Sequence, residues 1–198
     1  NLETGAMYRA LALKAIENDL GFDDEAELME LADNTRIVLT PHLEGNRILL
    51  DGVDVTRRVR HADVTAAASR VSVHPHLRAW MVDQQRAMGA AGGVVMEGRD
   101  IGTVVFPDAE VKIFLDANPE VRGNRRYRQL SPEGPAEPAI TEETLVQELR
   151  ERDARDRNRA ESPLRAAEDA VTLDSTAMTL EEVLAAAEDI VRNYLASH

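Results

Sequence analysis

The sequence contains no cysteine, and of its 23 cationic residues only Lys14 and Lys112 are lysine. A disulfide framework is therefore excluded. Aromatic residues make up 4% of the chain, so Trp80 and three tyrosines are too few to form a base-stacking platform. No apolar run is long enough to span a bilayer, and no cationic, apolar leader opens the chain. These absences exclude a membrane partner and make the cytoplasm the expected compartment. Broad positive surface is lacking too: the formal net charge is −13, which argues against a protein that coats nucleic acid. There is no G-x-S-x-G nucleophile elbow. The five histidines, His42, His61, His74, His76 and His198, show no metal-ligand spacing. His74 and His76 flank a proline and read as loop surface.

What is present describes a globular protein. The 198 residues are 43% hydrophobic and 30% charged, enough for one domain, or one with sizeable insertions, around a substantial core. "NLETGAMYRALALKAIEN" enters a helix almost at once, with Thr4 as its expected N-cap and Tyr8, Leu11 and Ile16 on the apolar face. A second helix is expected over 24–31. The period then changes. Two strand-like runs, 36–40 and 47–50, flank a Glu-Gly-Asn turn and read as a small β-rich insertion. Helical character resumes from Asp63, and Pro75 opens a helix that ends near Met88.

Three later segments, "GGVVMEG", "VKIFLDA" and "DAVTLDS", are continuous apolar runs ending in an acid and a loop. Such runs fit strands buried on both faces. Helices fall between them: Asn118-Pro119 is a cap followed by proline at the first helical position. Thr141 begins a long helix, and Thr179 with Glu182 forms a capping box. The Pro/Gly-rich stretch 131–139 reads as a mobile loop. Strands alternating with helices imply an α/β fold with a parallel sheet, whose ligands bind beyond the carboxyl ends of the strands.

Those ends carry the chemistry. Glu97 closes one strand and Gly98 permits a tight exit. Arg99 and Asp100 then project, able to fork onto phosphate oxygens and to accept from an amino group, or to close internal ion pairs. Further on, "RERDARDRNRAESPL" gathers five arginines within ten residues. On a helix Arg152, Arg155 and Arg159 fall within an arc of about 60°, with Asp156 beside them, while Arg150 and Arg157 point the other way. The stripe is either an anion clamp or a solvated face laced with pairs such as Glu148–Arg152 and Glu151–Arg155.

Four stretches, "TGAMYRALA", "AAASRVSVHPHLR", "GRDIGTVVFPDAEVKIFLDA" and "RDARDRNRAESPL", appear in this order and resemble the bacterial cytidylate kinases, the (d)CMP kinases of the nucleoside monophosphate kinase group. The likeness covers nearly the whole chain. It implies a P-loop kinase-like α/β core with a parallel sheet and helices on both faces, a β-containing monophosphate-binding insertion and a short lid. The implied domains are a core of 1–29, 84–121 and 160–198, a monophosphate-binding domain over 30–83, and a lid region over 122–159. The implied reaction is phosphoryl transfer from ATP to CMP or dCMP with Mg²⁺, by a monomer whose partners are small nucleotides and not nucleic acid.

Residue by residue, the family's first-helix serine or threonine and its Tyr-Arg pair match Thr4, Tyr8 and Arg9, and the resemblance implies that Thr4 and Arg9 bind the substrate, with Arg9 on the CMP phosphate. Ser69, Arg78 and Asp100 would read the cytosine edge. Arg99 and Arg159 would clamp the monophosphate, and Arg152 and Asp156 would face the ribose hydroxyls. Arg125, Arg126, Arg155 and Arg157 would lie in or beside the lid over the ATP phosphates. Arg99, Arg155 and Arg159 are thus the expected catalytic cations. The chain departs from the family in one respect: it contains no G-x-x-x-x-G-K-[ST] phosphate loop, which the resemblance implies ahead of Asn1. Glu3 and Glu97 remain as outer partners of Mg²⁺. The native full-length protein is accordingly expected to be a kinase and the 198 residues alone to be inactive. The alternative is a non-catalytic CMP-binding module.

Overall fold

The structure, a computed structural model, describes residues 1–42, 45–130 and 141–197. The expected loop at 131–139, Glu44 of the expected turn and His198 lie outside them. The chain packs as two compact units, Asn1–Phe106 and Pro107–His198.

In the first unit, β1 (Leu2–Glu3) leads directly into α1 (Gly5–Glu17). Small residues let α1 sit deep: Ala6, Met7, Ala10, Leu11, Leu13 and Ala15 are fully buried. Against it pack α3 (Ala62–Val71) through Val64, Ala67 and Val71, and α2 (Glu25–Asp33) through Leu28 and Ala32. Leu77 and Met81 of α4 (Pro75–Gly89) complete the helical side. Each fully buried Leu or Met contributes about 1.5–3 kcal/mol relative to exposure. The start of α2 is fixed by Asp24, whose carboxylate accepts from the backbone N–H of Ala26 at 2.9 Å and of Glu27 at 3.1 Å.

The small β insertion is an antiparallel sheet of β2 (Ile37–His42), β3 (Gly45–Leu50) and β4 (Val53–Asp54). Ile37, Leu39, Ile48 and Leu50 turn one face to the core. Asp51 and Gly52, at φ 50° and 88°, make the two-residue turn between β3 and β4. Two elements escaped the sequence reading. β1 pairs in parallel with β5 (Met96–Glu97), and Ile101–Val105 forms one turn of π-helix, closed by Phe106 N–H donating to Ile101 O at 2.7 Å.

In the second unit, β6 (Ile113–Asp116) and β7 (Val171–Asp174) pair in parallel, Ile113 opposite Val171 and Asp116 opposite Asp174. Between them run α5 (Pro119–Leu130) and α6 (Glu142–Asn158), and α7 (Leu180–Ser197) follows β7. The caps are those expected: Asn118 Oδ1 accepts from Glu120 N–H at 3.0 Å, and Thr179 and Glu182 exchange bonds of 3.2 and 2.8 Å. Helices α5 and α6 meet at Gly123, where an added Cβ would intrude on Val146 Cγ2 and lie 3.3 Å from Val146 Cα. Gly123→Ala would gain about 1 kcal/mol of helix propensity. It would lose about 1–3 kcal/mol to overpacking. A net destabilisation is expected in urea unfolding, and adding Val146→Ala should recover part of it.

The architecture is mixed α/β with parallel strand pairs. It differs from expectation in how those strands are covered. The described residues hold two parallel ladders of two strands each, one per unit. Val95 is 71% exposed, Leu115 57% and Val171 47%, so these runs are not buried on both faces. Two-stranded ladders leave edges and faces that a wider sheet would cover. Leu180, Leu184, Val191 and Leu195 of α7 are exposed as well. Among the described residues no helix is long and apolar enough to cross a membrane. The expected core draws on residues of both units, so its three-part division stays a proposal.

Candidate functional site

In the first unit the expected residues fall into two groups. The first lies where β1 runs into α1. Thr4 occupies the N-cap position but makes no capping bond. Its hydroxyl instead donates to Glu97 O at 2.7 Å, beside the ladder bond from Thr4 N–H to the same oxygen at 3.1 Å. This close approach explains Gly98, where a Cβ would lie 2.5 Å from Thr4 Oγ1. Arg9, one turn into α1, reaches back to pair with Glu3 at 2.5 Å. Glu3 stands opposite Glu97 in the ladder. Its backbone N–H donates to Asn46 Oδ1 at 2.7 Å, and Asn46 Nδ2 donates to Asn1 O at 2.7 Å.

Glu97 keeps contact with solvent, yet the atoms packed about its carboxyl strip enough water to push its pKa up. The Glu3 carboxylate pushes the same way, and Arg9 opposes both. A carboxyl whose folded pKa exceeds its unfolded value stabilises the fold below the unfolded pKa. That contribution is lost as pH rises through the folded pKa. Glu97→Gln is therefore expected to raise the thermal midpoint at pH 7, with the difference shrinking towards pH 4. Equal shifts at both pH values would refute the assignment.

The second group surrounds Arg78 on α4. Its Nη2 donates to Asp100 Oδ2 at 2.5 Å, and the two side chains are only 6% and 9% exposed. Nη1 donates to Ser72 O at 3.2 Å, and the ring of Tyr8 lies 5.7 Å from the guanidinium carbon. The buried Nε has no hydrogen-bond partner. Ser69 joins this group through Ser72, whose hydroxyl donates to Ser69 O at 3.1 Å. Asp100 also anchors the π turn, its carbonyl accepting from Val104 N–H at 2.9 Å. Arg99, half-buried, precedes it directly.

In the second unit the cationic stripe takes a different form from the one expected. Helix α6 ends at Asn158, and Arg159 has extended backbone at φ −66° and ψ 143°. A helical wheel therefore misplaces it. Its side chain is 13% exposed, with Nε donating to Ser162 O at 2.6 Å and Nη1 lying 3.6 Å from Asp156. Arg152 approaches Asp156 from the other side at 4.0 Å. Arg155 and Arg157 are exposed, so Arg155 does not share the half-buried position of Arg152. Arg150 bonds across to Glu120 of α5.

Arg125 is engaged by the protein's own oxygens: Ser175 Oγ at 3.0 Å, Ser175 O at 2.6 Å and Met178 O at 3.1 Å. Arg126, on the same helix, is half-buried. A cavity of about 630 Å³ opens in this unit beyond the ends of β6 and β7, its walls including Asp116, Asn118, Arg122, Asp153, Arg157 and Thr176. Arg122 bonds Asp153 there, and Asp153 is 7% exposed. Neither had been singled out. Leu145, Leu149 and Asp153 recur at four-residue spacing, which does mark Asp153 as lying on the inward face of α6.

Among the described residues no three His, Cys, Asp or Glu side chains cluster as a metal site. Among these residues the most deeply buried ion pair of the first unit is a donor and an acceptor, Arg78 with Asp100.

Known proteins resemble this chain over nearly its whole length. The family model described as cytidylate kinase matches residues 1–193. A cytidylate kinase of Aeromonas salmonicida is 49% identical over 184 residues, covering 93% of this chain and 79% of the relative. That of Solibacter usitatus is 48% identical over 193 residues, 97% of this chain and 81% of the relative. One from Geobacter sp. strain M21 is 46% identical over 196 residues, 99% and 83% respectively. These matches lend no support to the expected inactivity of the 198 residues. With nearly its whole length matched by the family model and by relatives approaching half identity, the chain belongs to the cytidylate kinases, enzymes of the nucleoside monophosphate kinase group.

Proposed function

We propose that the protein transfers the γ-phosphoryl group of ATP to CMP or dCMP, giving ADP and CDP or dCDP. The observation that carries this reading is the buried Arg78–Asp100 pair. Cytosine presents an amino donor beside the N3 and O2 acceptors. A fixed carboxylate accepts from the amino group, and a guanidinium donates to the acceptors. Uracil places a carbonyl oxygen where the amino group would be, and that oxygen meets a carboxylate. A site built to bond one edge rejects its analogue strongly, because its own buried polar groups are then left without partners. Ser69 enters the same reading by the family resemblance; its hydroxyl lies 3.4 Å from Thr65 O on its own helix.

Phosphoryl transfer asks the protein for positioning and charge neutralisation more than for covalent chemistry. Arg9, Arg99 and Arg159 are assigned to the monophosphate, and Arg152 and Asp156 to the ribose. Thr4 helps hold the start of α1 in place for Arg9. Arg126, Arg155 and Arg157 are assigned to the ATP phosphates. Arg125, given its three bonds to Ser175 and Met178, is assigned the bracing of α5 for that group. The cavity beside Arg122 and Arg157 has the volume to take part of the ATP molecule.

The residues present also suit a magnesium ion in part. Glu3 and Glu97 are paired on adjacent strands; burial first and the Glu3 carboxylate second raise the Glu97 pKa, and a cation would offset the second of these. Oxygen donors match Mg²⁺, which commonly takes one or two carboxylates together with phosphates. Arg9 already holds Glu3, so Glu97 is the more available partner. When bound, the ion would neutralise charge on the ATP phosphates.

The test is calorimetric titration with CMP and AMP, alongside CMP-dependent release of ADP from ATP. Saturable CMP binding with much weaker AMP binding is expected. A folded protein that does not distinguish CMP from AMP would overturn the assignment of Arg78 and Asp100.

A further inference from the structure

The Arg78–Asp100 pair is incompletely constrained by its own hydrogen bonds. The ion pair uses one nitrogen and one oxygen, Nη2 and Oδ2 at 2.5 Å. The second support, Nη1 to Ser72 O, is longer at 3.2 Å, and Nε has no hydrogen-bond partner. A planar group held along one edge by such contacts can still tilt. Tilting would move the donors that a base has to meet. Beyond these bonds, Cζ of Arg78 lies over the ring of Tyr8, 5.7 Å from its centroid.

Tyr8 is itself well placed to resist movement. It lies on α1 between buried Met7 and half-buried Arg9, and packs against the hydrophobic core of the first unit. Guanidinium groups favour the faces of aromatic rings, and the attraction is larger where water is excluded, as around Arg78. The protein holds a second contact of this kind, Arg70 over Phe22 at 5.0 Å, but there the Arg70 side chain is 54% exposed and bonds to Asp23. The two differ in burial and in what the arginine faces.

We infer that Tyr8 is the positioning residue that holds the Arg78 guanidinium in place and thereby sets how strictly cytosine is told from uracil. The inference rests on the reading of Arg78 and Asp100 as the residues that meet the base. Tyr8 acts through Arg78 and need not touch the nucleotide. What matters is the ring face, so the hydroxyl is dispensable for this role.

The experiment measures dissociation constants for CMP and UMP by calorimetric titration of the intact chain and of four variants, with thermal midpoints taken in parallel. Tyr8→Phe keeps the ring face and is expected to hold the UMP/CMP ratio within about twofold. Tyr8→Met keeps bulk without a ring and is expected to lower the ratio about tenfold, the scale a desolvated contact of this kind sustains. Phe22→Leu removes the exposed counterpart and should leave the ratio unchanged. Asp100→Ala reports on the underlying reading. If Asp100→Ala lowers the ratio and Tyr8→Met does not, Tyr8 is core packing only and the inference is overturned while base reading stands. If Asp100→Ala also leaves the ratio intact, base reading fails and the inference falls with it. Should Tyr8→Met not fold, progressively fluorinated phenylalanines at position 8 preserve shape while weakening the ring face. A ratio that declines along that series supports the inference, and a flat one overturns it.

Discussion

Asp100→Ala is expected to destabilise the unit Asn1–Phe106 by about 3–5 kcal/mol, because it strands the charge of Arg78 in the interior. Arg78 cannot escape the cost by losing its proton, since an arginine stays charged under all ordinary conditions. Nor can it swing into water readily, since its side chain is only 6% exposed. Replacing both partners with apolar groups, as in R78M/D100L, removes the charges together and should regain much of the lost stability. Recognition should not follow. Both the single and the double variant are expected to lose the preference for CMP over UMP, so urea unfolding and nucleotide titration would part company in the double variant. A double variant no more stable than Asp100→Ala would mean that the ion pair is not the source of the loss.

Arg159→Ala is expected to weaken CMP binding by about one to two orders of magnitude, the scale of one lost charge-assisted hydrogen-bonding group. Arg150→Ala, at the middle of α6, is expected to change it by less than about threefold. Arg150 is 52% exposed and occupied with Glu120, and exposed pairs of that kind contribute about 0–1 kcal/mol. Arg159 is held near Asp156 and Ser162 with 13% of its side chain open. A cation fixed in this way loses little further freedom on meeting a phosphate. Cytidine, which lacks the phosphate, should bind both variants alike. Equal losses of CMP affinity in the two would return the arginine run to the reading of a solvated helical face.

The helix starts were legible because they depend on neighbours in sequence. Asp24, Asn118 and Thr179 each bond within two or three residues of themselves, and such patterns survive without knowledge of the fold. The π turn was not legible. "IGTVV" has the composition of a strand, and only the carbonyl of Asp100, accepting from three successive amides, reveals the wider turn. The helical wheel takes in Arg159, whereas α6 ends one residue earlier, at Asn158. Site residues were recognised from their motifs, but their partners were not. Arg78 meets Asp100 across 22 positions and Tyr8 from another helix, separations at which no periodicity operates. Burial on both faces failed at Val95 and Leu115 because apolar composition records what a strand can tolerate, not what covers it.

Asn46 has a consequence beyond the geometry of Glu3. Leu2 and Thr4 direct their amides to β5, bonding Val95 O at 2.8 Å and Glu97 O at 3.1 Å. The opposite margin of β1 exposes Asn1 O and Glu3 N–H, the pair that an incoming strand would use. The primary amide of Asn46 takes both, each at 2.7 Å. A single side chain thus imitates a neighbouring peptide unit and seals that margin against intermolecular zippering. The hairpin that carries Asn46 thereby serves as a guard against aggregation, a safeguard that one substitution there would remove.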